Sequence, residues 1–301
     1  MSYQFNLPTD ILQDKLFISK GINLSVLRLD QVHPVISGNK IFKLHYLLED
    51  AVKNGHKSVL TFGGAYSNHL VATAYACKLK GLSSIGIVRG EQPLNLSHTL
   101  QNCLKYGMHL HYTSRAKYAT KEEPAFMDEL LTLYGMCSII PEGGFHVLGA
   151  KGAADIMTYI PDFTTHIACA VGTATTLAGL LNGIKSYQQI IAIPVIKGMT
   201  DIEERLLFLN GKKYNSNQLH IEDKYHFGGY AKHQQQLLDS MNEWYLQFNL
   251  PTDFVYTAKM MYGILDMIMH DFFYKGSNIV CVHTGGLQGN LSLQKGILTY
   301  N

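Results

Sequence analysis

Short apolar segments alternate with longer helix-like segments from residue 58 to residue 282, and no other feature of the sequence constrains the fold as strongly. Each helix-like segment of the first half is followed by a glycine, which suits the left-handed position just beyond a helix. This alternation is typical of parallel βαβ units. The predicted strands cover residues 58–62, 84–88, 108–112, 137–140, 166–171, 189–196 and 278–282, and the predicted helices of the first half cover 41–54, 69–80, 95–106 and a segment that ends before Gly135.

The predicted strands fall into two groups. The first four are separated only by short helices, so a single open sheet can hold them. The last three are almost continuously apolar, as strands are when helices cover both faces of a sheet, and they predict a second sheet. The sequence therefore predicts an α/β protein with two open, mostly parallel sheets covered by helices. A ligand is expected in the cleft between the sheets.

The composition limits the classes of function. Of the 301 residues, 47% are hydrophobic and 16% are charged, which provides for a large core and excludes a disordered chain. The formal net charge is +2 and no long basic segment occurs, so we expect neither a nucleic-acid partner nor a membrane partner. No apolar run reaches the roughly 20 residues of a transmembrane helix. The start MSYQFNLPTD lacks a basic segment followed by an apolar one, so we expect no signal peptide. We expect a cytoplasmic protein with a small-molecule ligand.

Cysteine and histidine spacing gives no sign of a metal site. The five cysteines are an odd number without a CxxC pair, which predicts reduced thiols in the core. His109 and His111 could share a strand face, but neither HExxH nor a Cys/His cluster accompanies them. We therefore predict no bound metal.

A strand that runs into a threonine-rich turn predicts a phosphate site. The residues of this turn, called the phosphate turn below, are Gly172, Thr173, Ala174, Thr175 and Thr176. Glycine lets the backbone approach an anion, and the free N–H groups and dipole of the helix that begins by Leu177 favour negative charge. The turn lacks both the GKS/T of ATP-binding loops and GxGxxG, so it favours a phosphorylated cofactor; a tight turn capped by threonine hydroxyls is the structural alternative.

Lys40 stands where a loop meets a helix, directly after Gly38 and Asn39. The positive end of the helix dipole is expected to lower the pKa of this lysine and so favour the neutral amine, which can form a Schiff base. An exposed surface lysine is the alternative. Lys43, one turn further on, is expected to be structural.

Two more glycine-containing turns follow predicted strands. The segment FGGAYSNH places the hydroxyl of Ser67 and the amide of Asn68 at a helix start, where either could contact a ligand or cap the helix. The segment VHTGGLQG carries the hydroxyl of Thr284 in a glycine turn. Because ligands bind at the carboxyl ends of parallel strands, we expect these loops to meet at the site.

Six segments form a recognisable set, namely GNKIFKL at 38–44, GGAYSNH at 63–69, PEGG with LGA within 141–150, GTATTLAGL at 172–180, VYTAK at 255–259 and HTGG at 283–286. Together they resemble the fold type II family of pyridoxal phosphate enzymes, in its D-cysteine desulfhydrase and 1-aminocyclopropane-1-carboxylate deaminase branch. The resemblance covers nearly the whole chain and implies a tryptophan synthase β-like fold with pyridoxal 5′-phosphate in the interdomain cleft. It also implies a larger cofactor-binding domain of residues 1–50 and 151–301, a smaller α/β domain of residues 51–150, and a homodimer.

The resemblance implies a role for each candidate residue. Lys40 would hold the cofactor covalently and move the proton at the substrate α-carbon. Asn68 would hydrogen-bond the 3′-oxygen of the cofactor ring, and Ser67 would meet the substrate carboxylate or act as a catalytic hydroxyl. The phosphate turn would hold the phosphate, mainly through backbone N–H groups. Tyr256 and Tyr230 match two tyrosines that the family places at the substrate.

Thr257 and Thr284 occupy the positions at which the two branches of the family differ. Deaminases have glutamate at the first, facing the ring nitrogen, and leucine at the second, whereas desulfhydrases have threonine at both. A neutral hydroxyl cannot keep the ring nitrogen protonated, so the ring is a weaker electron sink. Eliminating a thiolate demands less of that sink than opening a cyclopropane ring. The resemblance therefore favours a D-cysteine desulfhydrase, which produces pyruvate, hydrogen sulfide and ammonia.

Three alternatives accompany this interpretation. Within the family, the activity could be that of a 1-aminocyclopropane-1-carboxylate deaminase. Outside it, the chain could bind pyridoxal phosphate with little turnover, or could be an α/β protein that binds another phosphorylated ligand. The sequence also departs from the family pattern. Phe254 and Ala258 replace proline and glycine, and apolar Ile41 and Phe42 follow Lys40. These departures concern the substrate pocket more than the cofactor site.

Overall fold

A computed structural model describes residues 5–300 of the chain. The strands are β1 (Thr9–Leu12), β2 (Asn23–Leu27), β3 (Ser58–Gly64), β4 (Ser83–Arg89), β5 (Met108–Thr113), β6 (Ser138–Ile140), β7 (His166–Val171), β8 (Gln189–Pro194), β9 (Leu219–Ile221) and β10 (Asn278–Val282). The α-helices are α1 (Lys15–Lys20), α2 (Lys40–Lys53), α3 (Asn68–Leu79), α4 (His98–Lys105), α5 (Arg115–Ala119), α6 (Pro124–Tyr134), α7 (Val147–Ala154), α8 (Thr175–Gly183), α9 (Ile202–Asn210), α10 (Gln235–Phe248) and α11 (Thr257–Met269).

The first four predicted strands form one sheet, as expected. Its order is β5-β4-β3-β6 and all of its neighbouring strands are parallel. The strand bounds differ from the predicted ones by at most two residues at either end. The glycines predicted to follow the helices of this half all have positive φ, namely Gly55, Gly81, Gly107 and Gly135. The predicted parallel βαβ arrangement is therefore confirmed for this part of the chain.

The second sheet is larger than the sequence predicted. Its order is β1-β2-β10-β7-β8-β9, and it is parallel except for β1, which runs antiparallel to β2. The three predicted strands β10, β7 and β8 lie at its centre, whereas the missed strands β1, β2 and β9 lie toward its edges. Outer strands bury fewer of their residues and so lack the continuous apolar runs that identify central strands.

Strand β7 shows why a central strand is apolar throughout. Every one of its residues is buried. Ala168 and Ala170 pack in the cluster that contains residues of α11, and Ile167, Cys169 and Val171 pack in the cluster that contains residues of α8. The two faces of this strand are therefore covered by different helices, and its carboxyl end leads directly into the phosphate turn. The predicted α/β architecture of two mostly parallel sheets is confirmed.

Gly38 brings the segment before α2 against the loop that follows β10. Its φ is +72°, and a Cβ on it would lie 1.9 Å from the carbonyl oxygen of Thr284, so neither the backbone angle nor the space admits a side chain. The N–H of the next residue, Asn39, donates to that same oxygen at 3.2 Å. This contact holds the start of α2 beside the HTGG turn, although the two are far apart in sequence.

The cysteines, and the two histidines that could share a strand face, have structural contacts. All five cysteines are buried free thiols, as predicted. The rings of His109 and His111 both pack on Tyr134, whose hydroxyl hydrogen-bonds Nδ1 of His111 at 2.8 Å. Between residues 5 and 300, no three His, Cys, Asp or Glu residues are grouped so that they could hold a metal ion. Among the same residues, none of the α-helices combines the length and apolar character needed to cross a bilayer.

Candidate active site

A cavity lies where the carboxyl ends of β7 and β10 meet the first residues of α2 and α3. Of the residues predicted from the sequence, its wall contains Lys40, Asn68, the phosphate turn 172–176, Tyr256 and Thr284. The wall does not contain Ser67, Tyr230 or Thr257. The structure thus brings together five separate parts of the chain, as expected for a site at the ends of parallel strands.

The amine of Lys40 is connected to the phosphate turn by a single amide. Lys40 is the first residue of α2, and its Nζ donates to Oδ1 of Asn39 at 2.6 Å. Nδ2 of Asn39 in turn donates to the hydroxyl of Thr176 at 2.7 Å. The sequence analysis assigned no role to Asn39. Because it bridges the lysine and the turn, the amine and an anion held by the turn would be within reach of one small ligand.

Burial makes Lys40 an unusually weak base. It lowers the pKa of this lysine from 10.5 to about 8, and the negative charge of Asp253 partly opposes the shift. The sequence analysis predicted the direction but attributed it to the helix dipole. With a pKa of about 8, roughly one amine in ten is neutral at pH 7, compared with about one in a few thousand for an exposed lysine. Lys40 therefore has the nucleophilic form that Schiff-base chemistry needs.

This pKa predicts how the protein without cofactor reacts with aldehydes. The rate at which Lys40 combines with pyridoxal phosphate should rise with pH and level off above about pH 8, because only the neutral amine attacks a carbonyl. The measurement is the appearance of the absorption of the bound cofactor in apoprotein at a series of pH values. A rate that still rises steeply above pH 9 would contradict it, since an exposed lysine would behave in that way.

Lys43 is a second buried amine in the same wall. It is 4% exposed, and its Nζ donates to the carbonyl oxygen of Gly143 at 3.0 Å. Burial and the positive charge of Lys40 hold its pKa well below the usual value. The sequence analysis expected Lys43 to be structural, since most lysines are exposed surface residues. The structure adds it to the groups that a bound anion would meet.

The phosphate turn leaves the start of α8 open. Ala174 precedes the helix with a left-handed φ of 63°, and no side chain caps the helix at this point. The hydroxyls of Thr173 and Thr175 instead hydrogen-bond each other at 2.9 Å. The structural alternative, in which threonine hydroxyls cap the helix, is therefore not what the turn adopts. Its first N–H groups remain available for an anion.

Asn68 and Ser67 differ in whether their side chains are free to contact a ligand. Asn68 begins α3, and its buried Oδ1 has no hydrogen-bond partner among residues 5–300, so this amide is free to meet a ligand in the cavity. Ser67 is the N-cap of the same helix, and its hydroxyl accepts from the N–H of Leu70 at 3.4 Å. The structure therefore assigns the capping role to Ser67 and leaves its neighbour Asn68 facing the site.

The two tyrosines form a pair at one side of the cavity. Tyr256 lines the wall, and its hydroxyl donates to that of Tyr230 at 3.4 Å. Tyr230 lies outside the wall and reaches the site only through this contact. Burial raises the pKa of both hydroxyls, so both remain protonated at neutral pH.

Thr257 turns away from the cavity toward Asp253. The Asp253 carboxylate is fully buried and accepts from the backbone N–H groups of Val255, Tyr256 and Thr257, at 2.9–3.0 Å. The hydroxyl of Thr257 also donates to it, at 2.7 Å. The expectation that Thr257 meets the cofactor ring is therefore not matched by its position, because its hydroxyl is used in the turn that starts α11. Thr284, by contrast, lines the cavity.

Asp253 is a site residue that the sequence analysis missed. It raises the pKa of both Lys40 and Lys259, which burial lowers, so its charge acts on two lysines. Asp253 stands four residues before α11, whereas the usual sequence signal for a helix start is a cap residue immediately before the helix. Its effect on two buried amines depends on the tertiary structure, so the local sequence did not reveal it.

The residues present fit pyridoxal phosphate. Lys40 supplies a buried amine of lowered pKa, the open start of α8 supplies N–H donors for a phosphate, and Asn68 supplies an unpartnered amide for a polar ring substituent. Lys43 adds positive charge when protonated.

Comparisons with known proteins agree with this geometry. A family model described as "Pyridoxal-phosphate dependent enzyme" matches residues 12–285. A Thermotoga maritima protein named provisionally as a 1-aminocyclopropane-1-carboxylate deaminase is 31% identical over 89% of this chain and 90% of its own length. A D-cysteine desulfhydrase of Klebsiella pneumoniae is 27% identical over 88% of this chain and 87% of its own length. A crystal structure described as that of an ACC deaminase homologue superposes with a TM-score of 0.78 and 27% identity, covering 95% of this chain and 91% of the other.

These matches confirm the family, the fold type and the cofactor that the sequence motifs indicated. They also exclude the alternative of an unrelated α/β protein that binds a different phosphorylated ligand. The chain belongs to the family of pyridoxal-phosphate dependent enzymes, as a fold type II member with pyridoxal 5′-phosphate as its cofactor and the activity of a lyase.

Proposed function

We propose that this enzyme eliminates hydrogen sulfide from D-cysteine and produces pyruvate and ammonia. The observation that carries the proposal is the buried amine of Lys40, which Asn39 links to the phosphate turn. Two further features favour the desulfhydrase over the deaminase. Thr284 lies in the cavity wall at the position where deaminases have leucine, and the position after Tyr256 is Thr257, which carries no charge.

The reaction divides between the cofactor and the protein. When bound, pyridoxal phosphate withdraws electrons from the substrate α-carbon and so makes its proton acidic. The amine of Lys40 accepts that proton, after which the bond between the β-carbon and sulfur breaks and the electron pair leaves with sulfur. The hydroxyl of Tyr256 keeps its proton, because burial raises its pKa, and can donate to the departing thiolate. The remaining three-carbon enamine is hydrolysed to pyruvate and ammonia.

A second candidate is the opening of 1-aminocyclopropane-1-carboxylate. It is supported by the name of the Thermotoga maritima relative, whose identity of 31% is above that of the Klebsiella pneumoniae desulfhydrase. Against it stand Thr257 and Thr284, the two positions that differ between the branches. The two reactions give different 2-oxo acids, and this makes them easy to separate.

The assay compares D-cysteine, L-cysteine and 1-aminocyclopropane-1-carboxylate as substrates for the holoenzyme. We expect sulfide and pyruvate in equal amounts from D-cysteine, with a kcat/KM at least about tenfold above that for either other compound, a difference of about 1.4 kcal/mol. Formation of 2-oxobutyrate from the cyclopropane compound alone would overturn the proposal in favour of the deaminase. A loaded protein that forms no product from any of the three would instead support the low-turnover alternative.

We further propose that residues 1–50 and 151–301 form the larger, cofactor-binding domain and residues 51–150 the smaller one. The membership of the two sheets supports this division, because the four strands from β3 to β6 all lie between residues 58 and 140. Residues 1–4 and 301 lie outside the described part of the chain. A homodimer that works in the cytoplasm on a small amino acid completes the proposal, and light scattering of the purified enzyme tests the dimer.

A further inference from the structure

The turn that carries Tyr230, residues 226–231, is held by hydrogen bonds rather than by regular secondary structure. Left-handed backbone recurs through it, at Phe227, Gly228, Gly229 and Ala231. Two of its carbonyl oxygens, those of His226 and Gly229, converge on the amine of Lys259, at 2.8 and 2.7 Å. The same oxygens accept from the N–H groups of Gly229 and Lys232. Lys259 therefore connects the start and the middle of this turn to α11.

Burying the amine of Lys259 has a high desolvation free energy. Its side chain is among the largest that are fully buried, and among residues 5–300 it forms no ion pair with a carboxylate. A buried amine costs free energy unless hydrogen bonds compensate for the loss of water. The hydrogen bonds of its Nζ go to the 226–231 turn. Holding the turn is therefore the function that its contacts indicate.

Other residues on the same face of α11 contact the turn or Tyr225, the residue that precedes it. The hydroxyl of Tyr225 donates to Asp266 at 2.7 Å, and a Cβ on Gly263 would lie 2.6 Å from the Tyr225 ring. The rings of Phe227 and Tyr262 pack edge to face with centroids 4.9 Å apart. Helix positions three and four apart lie on one face, so Lys259, Tyr262, Gly263 and Asp266 form one surface that contacts Tyr225 and the turn that follows it.

Helix α11 also sets the position of the other tyrosine. Tyr256 immediately precedes it, and its hydroxyl meets that of Tyr230 at 3.4 Å. Tyr230 itself is 46% exposed, so packing holds it only partly. The two glycines before it permit many backbone conformations. The contact between the two hydroxyls therefore depends on how firmly α11 holds the 226–231 turn.

We propose that Lys259 is a positioning residue that fixes the hydroxyl of Tyr230 against that of Tyr256 at the substrate cavity, by binding the carbonyl oxygens of His226 and Gly229. This inference rests on the proposed place of the two tyrosines at the substrate. It does not depend on which amino acid is the substrate, because the contacts that carry it lie within the protein.

A double-mutant cycle tests whether Lys259 acts through Tyr230. Lys259→Met, which keeps the length of the side chain without its donors, should lower kcat/KM about tenfold or more, mainly through kcat, with the absorption of the bound cofactor unchanged. In a Tyr230→Phe background the same substitution should change kcat/KM less than about twofold. An equal loss in both backgrounds would show that Lys259 does not act through this tyrosine and would overturn the proposal.

Hydrogen exchange tests the same contact without any substrate. In the Lys259→Met holoenzyme, amides of the 226–231 turn and of Lys232 should exchange faster, while those of the central strands stay protected. Unchanged exchange in the turn would overturn the proposal even if the activity fell. If exchange rises but no amino acid tested is turned over by the wild-type enzyme, the positioning contact stands and the proposed substrate fails.

Two further variants guard against a general loss of structure. Tyr225→Phe removes the hydrogen bond to Asp266 and should produce a weaker change of exchange in the same turn. Lys20→Met is the matched control, because Nζ of Lys20 donates to the carbonyl oxygen of Met269 at 3.0 Å, at the opposite end of α11. It should leave both the exchange of the 226–231 turn and kcat/KM unchanged. A change as large as that in Lys259→Met would contradict the proposal.

Discussion

Lys40→Ala is expected to abolish covalent attachment of the cofactor and to reduce turnover by about a thousandfold or more. The substitution removes both the amine that is proposed to bind the cofactor and the base that is proposed to accept the α-proton. Borohydride reduction followed by peptide mapping should place an adduct on Lys40 in the wild-type enzyme and no adduct in the variant. Turnover is measured on the same samples by the release of 2-oxo acid.

Lys53→Ala is the matched control for this prediction. Lys53 is the last residue of α2, is exposed and lies three turns from the cavity, so its removal should leave both adduct and turnover unchanged. The critical rival is Lys43, the other buried amine of the cavity wall. An adduct that persists in the Lys40→Ala variant and maps to Lys43 would show that the anchor has been assigned to the wrong lysine.

Asp253→Asn should be the most damaging of the conservative substitutions at the site. The carboxylate accepts four hydrogen bonds while fully buried, and an amide in its place would direct its NH2 group at N–H and O–H donors. We expect the free energy of unfolding in urea to fall by about 2–4 kcal/mol. Asp239→Asn is the control, because Asp239 is an exposed carboxylate on α10 and should cost no more than about 0.5 kcal/mol.

For the same variant we also predict the direction in which the pKa of Lys40 changes. Asp253 raises the pKa of Lys40, so removing its charge should lower that pKa below about 8. The pH at which apoprotein reaches half of its maximal rate of cofactor binding should then move to lower pH. A shift to higher pH, or none in a variant that remains folded, would show that Asp253 does not act on Lys40 through its charge.

The sequence predicted the site loops better than it predicted the side chains that meet in them. The turns around Lys40, Asn68, Ala174 and Thr284 were identified because glycines and polar residues after apolar strands are local signals. Ser67 and Thr257 lie beside the site in sequence, but their hydroxyls are used to complete the starts of α3 and α11. A local pattern does not distinguish a hydroxyl that caps a helix from one that faces a ligand, since both stand at the same position of the turn.

Two of the residues whose contacts the sequence did not predict have partners far away in the chain. Asn39 is 137 positions from Thr176, to which it donates, and Lys43 is 100 positions from Gly143. The outer strands β1, β2 and β9 were missed for a related reason, because pairing with a neighbour rather than apolar character defines them.

What the residues alone determined was the strands of the first sheet, the central strands of the second sheet, the cofactor family and the lysine expected to bind the cofactor. Period, glycine placement and short motifs are properties of neighbouring residues, and these features could therefore be read from the sequence. The tertiary structure decided which side chains face the cavity, how far burial lowers the pKa of Lys40, and that Asn39, Lys43 and Asp253 surround this amine. Burial and hydrogen bonding depend on elements that only folding brings together, so no local pattern contains them.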